Sequence, residues 1–517
     1  MVLKQLLAAA SLGIFAQGLA QQNKTFTGIK GCDALLDAGL QDILVFPEDV
    51  AYQKSVNGYY SSENRRLRPS CIVQPQSTSH VSSAIKALSE LTGAGNWDIA
   101  VRSGGHSDYD NNAVNRGVTI DLSGMNNVAL AEPTEPYSWN GTSRLTKSVA
   151  QLGPGARWGN VLTDLEEYNL GATGGRSGHV GVGGLLVSGG ASYHITQWGM
   201  SCDNVVNYEI VLADGSIVEA NAKENTDLFK SLKGGGSNLG VVTRFDLRTF
   251  TVPSKGIYGG LVFMDWKDLE LANAQFLEYA SSSSGSPDHL FQVYQSSPGT
   301  DDLTIMAMAV STDGNEESKT FRRFQDMSLK SDMRDKQSLG SLATTIADEG
   351  GSHYIPFNGV FQANSKMLDK LADVFADLQN DFAKENVPVS LAFVLQPLPK
   401  SPDAPTNGNI LGLAESLPAD SILFESRATL EASEASYEGI VRAKMARASE
   451  ELRSFSASMQ GHSTYLYMNY ANPEQDIIGS YGKSNVEFLK KTAAKYDPNG
   501  FFQHRVPGGW KVSRVQS

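Results

Sequence analysis

The spacing of apolar positions changes period along this chain, and each change marks an element. From Ser79 to Leu91 (SHVSSAIKALSEL) the apolar residues fall at helical spacing and predict a helix. DIAVRSGGH, from Asp98, and GVTIDLSGM, from Gly117, read as two short strands, the first running into a glycine turn. Residues 148–170 (SVAQLGPGARWGNVLTDLEEYNL) predict a strand, a glycine turn and a helix, with Trp158 at the helix start. VVNYEIVLADGSIVEA (205–220) has the pattern of a β-hairpin turning at Asp214-Gly215. A helix broken at Gly234-Gly235-Gly236 and another strand complete the run to Phe250.

Composition changes near Pro253, where the glycine clusters thin out. From 257 to about 455 strand-like pieces (GGLVFM, HLFQVYQ, LTIMAMAVS, PVSLAFVLQPL) alternate with charged helical pieces (KMLDKLADVFADLQNDFA, EASEASYEGIVRAKMARASEELRSF). That half predicts a second domain, an antiparallel sheet backed by helices. The first half belongs to the α+β or α/β class. From Tyr465 the tail predicts a strand (YLYMNY) and a helix over 485–496. Strand alternation would put Tyr467 and Asn469 on one face and Tyr470 on the other.

A length of 517 residues favours two domains over one. The net charge of -13, with no cluster of Lys and Arg, argues against a nucleic-acid partner. Residues 1–20 have the basic start, apolar stretch and small-residue end of a signal peptide cleaved near Ala20–Gln21. No later stretch reaches eighteen apolar residues, so the expectation is a secreted, monomeric protein with no membrane anchor. Secretion gives meaning to Cys32, Cys71 and Cys202, of which Cys32 and Cys71 are expected to pair and Cys202 to be a buried thiol. Three reduced, buried thiols are the alternative. Asn23 and Asn140 begin glycosylation sequons.

Candidate chemistry is concentrated in glycine. Nine of the twenty residues from Gly171 to Gly190 are glycine, without a repeating period. Neither GPGARWG nor GVGGLLVSGG has the Rossmann spacing, and GGGSNLG lacks the Lys-Ser/Thr of a P-loop. His106, His179 and His194 lack the short spacing of a zinc site, so no metal is expected. Ser192, in GGASY, lacks the G-x-S-x-G of a nucleophile elbow. What remains is three glycine turns, at 104–105, 153–159 and 174–190, which either cradle a diphosphate with backbone N–H groups or make tight corners.

With these motifs in order, the chain resembles the secreted fungal and plant FAD-linked oxidases of the berberine-bridge-enzyme type, within the vanillyl-alcohol-oxidase-like flavoproteins. VRSGGHS (101–107) looks like the motif whose histidine bonds the flavin 8α-methyl group, here His106. PGARWG, GVGGLLVSGG, DNVVNYEIVLADG, GGGSNLGVVTRF and the C-terminal YLYMNYANP and YDPNGFFQ are similar to its other motifs. The resemblance implies cofactor contacts from Arg102, Ser103, Gly104, Gly105, Ser107, Pro154, Gly155, Gly174, Gly175, Ser177, Gly178, Val180, Gly181, Gly184, Gly189, Gly240, Val241 and Asn469. It implies Tyr470 or Tyr467 as catalytic base, with His179, Phe393 and Gln396 near substrate. Many members attach flavin a second time through a cysteine at the position of Ser177, so a single histidyl link is expected here.

The fold so implied is α+β: a PCMH-type two-subdomain FAD-binding fold from residues 21–255, completed by 456–517, with the substrate domain at 256–455. The implied function is an oxidase that reduces O₂ to H₂O₂ while oxidising a small secondary-metabolite alcohol or amine C–H. A carbohydrate oxidase is the alternative enzyme. A secreted protein that binds a ligand without turnover is the alternative of another class.

Overall fold

Val118–Asp121 is buried along its whole length, as a strand covered on both faces must be. The computed structural model of the chain describes residues 26–93, 95, 97–132, 145–300, 302–400, 408–418 and 420–515. The expected signal peptide, Asn23 and Asn140 lie outside them.

Strands β1 (Leu44–Val45), β2 (Cys71–Val73), β3 (Ile99–Arg102) and β4 (Val118–Asp121) form a sheet in the order β1-β2-β4-β3, with β2 and β3 parallel to β4. Its core is filled by helices Lys30–Asp37 and Thr78–Ser89, through Leu35, Val81, Ile85 and Leu88. The Ser77 side chain caps the second helix by accepting from the His80 N–H, so the helix begins where the apolar spacing does.

A second, antiparallel sheet follows, from β5 (Val128–Ala131), β6 (Leu145–Leu152), β7 (Leu170–Ala172), β8 (Val205–Val211), β9 (Ile217–Asn221) and β10 (Val241–Thr251), in the order β5-β6-β10-β8-β9 with β7 on β10. The β8–β9 hairpin turns where Asp214-Gly215 predicts, with Leu212 and Ser216 paired across it. Helix Trp158–Glu166 starts at Trp158.

The third sheet is antiparallel throughout. It contains β11 (Ile257–Asp265), β12 (Asp288–Ser296), β13 (Thr304–Ser311), β14 (Leu329–Asp332), β15 (Asp335–Gln337), β16 (His353–Gln362), β17 (Val389–Pro397) and β18 (Ser421–Leu430). Their order is β14-β11-β13-β12-β17-β18-β16, with β15 on β11. Alternation sorts the faces. Leu391, Phe393, Leu395, Phe357 and Phe424 pack on helices Ser365–Lys384 and Glu438–Ala457. Val360 and Leu423, on the other face, join the core of the second sheet. The expected α+β fold, with its separate antiparallel domain, is the observed one.

The chain after the last long helix returns to the first half, burying Tyr465, Tyr467, Ile477, Tyr481 and Leu489 against Leu186 and Tyr208. Here one expectation is corrected: YLYMNY is not a strand. Side chains take the place of a ladder, since Leu466 N–H donates to Ser480 Oγ and Tyr467 N–H to Asn358 Oδ1. Met468–Tyr470 then close a 3₁₀ turn.

Cys32 and Cys71 form a disulfide, joining the first helix to β2, and Cys202 is a buried thiol. The bridge closes a sequence separation of 39 residues. Replacing both bridge cysteines by serine should therefore lower unfolding free energy by about 4 kcal/mol, read from denaturant unfolding at fixed pH. No helix of the described residues is long and apolar enough to cross a membrane.

Candidate active site

The three glycine clusters meet at one place. Arg157 Nη2 donates to the Gly104 carbonyl (2.8 Å) and Nη1 to that of His179 (2.9 Å). Trp158 N–H reaches Val180 O, Gly159 N–H reaches Gly178 O, and Val182 N–H reaches Ala156 O. Ser103 donates its hydroxyl to Pro154 O and accepts from Gly183 N–H at 3.1 Å. Gly104 and Gly181 touch backbone to backbone, since a Cβ on Gly104 would lie 2.6 Å from the Gly181 Cα.

The glycines divide by purpose. Gly174 and Gly175 lie on the buried Trp158 ring, Gly155 on the Leu122 carbonyl and Gly240 on that of Val211. These satisfy packing, and Val241 simply pairs with Val211 in the β10–β8 ladder. Gly178 abuts Ala343 O and donates its N–H there, whereas Gly189 faces Met200, Tyr467 and Leu411. Gly184 is different: a Cβ there would meet nothing within 4 Å. The amides of Gly104, Gly105 and His106 have no hydrogen-bond acceptor among the described residues. Arg102, by contrast, turns its guanidinium away to Ser55 and Asp121 and lies over the Tyr59 ring. Ser107 is held locally, its carbonyl accepting from Asn64 and its hydroxyl from Tyr109 N–H. Ser177 is half-buried, its carbonyl taking the Val180 N–H.

His106 follows Gly105, whose φ of +71° lets the chain turn sharply after β3. Its ring stacks on Tyr60 at 3.9 Å between centroids, and Tyr60 stacks on Tyr354 at 4.5 Å. Burial, then the charges of Arg427 and Arg157, push its pKa down to about 3, so the imidazole is neutral at any ordinary pH. Arg427, on β18, pairs with Glu425 (2.8 Å) and Asp108 (3.3 Å). Burial raises the pKa of both carboxyls.

Arg427 and Glu425 are also felt by Tyr470. Because Tyr467 and Tyr470 stand three apart on a 3₁₀ turn, they lie on the same side, contrary to the strand expectation, with rings 5.0 Å apart at 81°. Their hydroxyls have different partners. Tyr467 Oη accepts from Ala191 N–H at 2.7 Å. Tyr470 Oη accepts from Arg176 Nη2, while Arg176 Nη1 is 3.3 Å from His289 Nε2 and its guanidinium lies 4.8 Å from the centre of the Phe291 ring. Burial raises the Tyr470 pKa, and Arg176 opposes that rise. Burial and Arg176 hold His289 neutral. Asn469 Oδ1 is buried without a hydrogen-bond partner.

Phe393 is a correction. It points to the helix side of the third sheet, 5.2 Å from Phe375, because odd positions of β17 face the helices. Gln396 faces the other way, and neither atom of its buried amide has a partner. His179 Nδ1 is tied to the Asp348 carbonyl at 2.8 Å. Tyr60, Arg176, His289, Glu425 and Arg427 were not singled out in the sequence. Arg176 had a signal there, between Gly175 and Ser177 in GGRSGH, but the others come from segments with no motif.

Residues 69–221 match a family model described as an FAD binding domain. The FAD-dependent monooxygenase drtC of Aspergillus calidoustus is 32% identical over 94% of this chain and 90% of its own. Among solved structures, the chain is similar to berberine bridge enzyme from Eschscholzia californica (TM-score 0.72, 17% identity, 93% of this chain and 99% of that one). It is similar also to a xylooligosaccharide oxidase from Myceliophthora thermophila (TM-score 0.71, 20% identity, 93% and 99%). Fold and site together define an FAD-linked oxidoreductase. The chain belongs to the family of FAD-linked oxidoreductases that includes drtC, and its fold is that of the berberine-bridge-enzyme-type structures. The open side of Gly184, the unpartnered amides of Gly104–His106 and the orphaned Asn469 oxygen fit a flavin and its diphosphate.

Proposed function

We propose that this protein is a secreted oxidase that carries FAD on His106 by a single covalent link. It oxidises the alcohol or amine C–H of a small secondary metabolite and passes the electrons to O₂, releasing H₂O₂. The observation that carries this reading is the neutral, stacked His106 imidazole beside a row of unpartnered amides. A neutral ring nitrogen keeps the lone pair that a bond to carbon requires. Ser177, where a second thiol link would form, has a hydroxyl that does not serve as such a nucleophile.

Bound FAD supplies a two-electron acceptor for a hydride from carbon and a route for those electrons to O₂. The chain's own residues handle the proton. Tyr470 takes it from the substrate O–H or N–H, because its Oη is held by Arg176, whose positive charge favours the phenolate. Tyr467, committed to Ala191, orients the turn. Gln396, His289 and Tyr193 line the substrate side, each with a buried polar atom free of protein partners.

Acid precipitation of the secreted protein is the test. Yellow pellets, together with H₂O₂ released mole for mole with substrate consumed, are the expected result. Flavin left in the supernatant would overturn the tether. The similarity to drtC, an FAD-dependent monooxygenase, supports a second reading, insertion of oxygen into substrate. Labelled oxygen from ¹⁸O₂ would then appear in the product rather than in H₂O₂.

A further inference from the structure

Tyr60 touches the flavin loop and the substrate domain at once. Its backbone N–H donates to Gly105 O (2.8 Å), directly before His106. Its carbonyl accepts from Gly351 N–H (2.7 Å), and its hydroxyl donates to Asp348 Oδ2 (2.8 Å). Both partners lie in the loop that leads into β16, and Tyr354, on β16, covers the far face of the Tyr60 ring. That loop is shaped to Tyr60: Gly350 has φ +72°, and a Cβ there would lie 2.4 Å from the Tyr60 carbonyl. Ser62 N–H donates to Ser352 O, and Arg65 Nη2 to Glu349 O, so the loop is fastened along its length.

We propose that Tyr60 is a positioning residue for flavin attachment: clamped between Gly105 and the 348–352 loop, it holds the His106 ring at one angle, so the covalent link forms only when the substrate domain is docked. This rests on the reading of His106 as the tether. Attachment removes one hydrogen from the 8α-methyl carbon and one from a ring nitrogen of His106, and a C–N bond replaces them. The two electrons and two protons pass to the isoalloxazine and then to O₂, giving H₂O₂. Nothing else is consumed. Orientation governs such a step, because the nitrogen lone pair must point at a single carbon. A ring stacked on one face can neither tilt nor flip freely.

The test is the full-length chain, made in flavin-limited cells and then given FAD, with acid-stable flavin followed over time. Tyr60→Leu removes the stack and is expected to slow attachment at least tenfold while FAD fluorescence is still quenched on binding. Tyr60→Phe keeps the ring but loses the bond to Asp348, as does Asp348→Ala, and each should slow it several-fold. The groups facing His106 are Tyr60, Arg157, His179, Asp348 and Arg427, and with the stack in place wild-type attachment should be level from pH 8 to pH 5. In Tyr60→Leu the ring reaches solvent, and the rate should fall about tenfold by pH 5.5, as for an ordinary histidine of pKa about 6.5. Wild-type attachment with Tyr60→Leu equally fast overturns the inference alone. Should Tyr60→Leu fail to bind FAD, wild-type rates in both Tyr60→Phe and Asp348→Ala overturn it. A wild-type chain without acid-stable flavin overturns the tether and this inference together.

Discussion

Tyr470→Phe should lower kcat by about two to four orders of magnitude and leave the bound flavin untouched. The substitution removes one oxygen and keeps the ring that packs edge-on against Tyr467. The loss therefore falls on proton transfer, with little change in fold. Anaerobic mixing with substrate would show it as slow bleaching of the flavin. The same substitution at Tyr467 should cost much less activity, because that hydroxyl serves Ala191 N–H. Equal losses in both variants would overturn the assignment. Arg176 sharpens the prediction. Burial raises the Tyr470 pKa and the guanidinium lowers it, so Arg176→Leu removes the lowering influence. The rising limb of the kcat profile, which reports deprotonated Tyr470, should then move to higher pH. An unshifted limb would mean that another group is the base.

His106→Ala should take covalently held flavin from one per chain to none, with all yellow colour in the acid supernatant. The remaining cradle is intact in this variant, since Arg157 bonds the Gly104 and His179 carbonyls and no atom of His106 takes part. FAD should still bind, reversibly, and leave on dialysis. Because a link through a ring nitrogen withdraws electrons from the isoalloxazine, the midpoint potential of the reconstituted variant should be lower than that of the wild type. Acid-stable flavin in His106→Ala would place the link elsewhere, with Cys202 excluded by its burial.

Much of this was legible in the chain. Helix Thr78–Ser89, the β8–β9 hairpin, the helix opening at Trp158 and the run of glycine turns depend on period, capping and turn chemistry within a few residues of one another. The Cys32–Cys71 pairing is nearly as local. His106, in its glycine setting, could be recognised by motif. What the motif could not say was which glycines serve packing: Gly174 and Gly175 are small because Trp158 lies on them, whereas Gly184, in the same loop, opens onto free space.

The neighbourhood of His106 is another matter. Tyr60 and Asp348 are 288 residues apart, Arg176 and Tyr470 are 294, and Asp108 and Arg427 are 319. No periodicity spans such distances, and even where one partner lies in a motif, as Tyr470 does, nothing in its own segment names the other. Tyr467 and Tyr470 alternate like strand residues, yet acceptors from Asn358 and Ser480 bend that segment into a turn and bring both rings to one side. Phe393 sits on a correctly anticipated strand but on its helix-facing side, because the phase of a strand's alternation is set by what packs on each face. By itself the sequence determined most of the elements, the disulfide pairing and the glycine loops, all of which rest on short-range chemistry. Only the tertiary structure decided which charges and hydroxyls surround His106, because that is a property of how the first sheet, the third sheet and the returning C-terminal segment are pressed together.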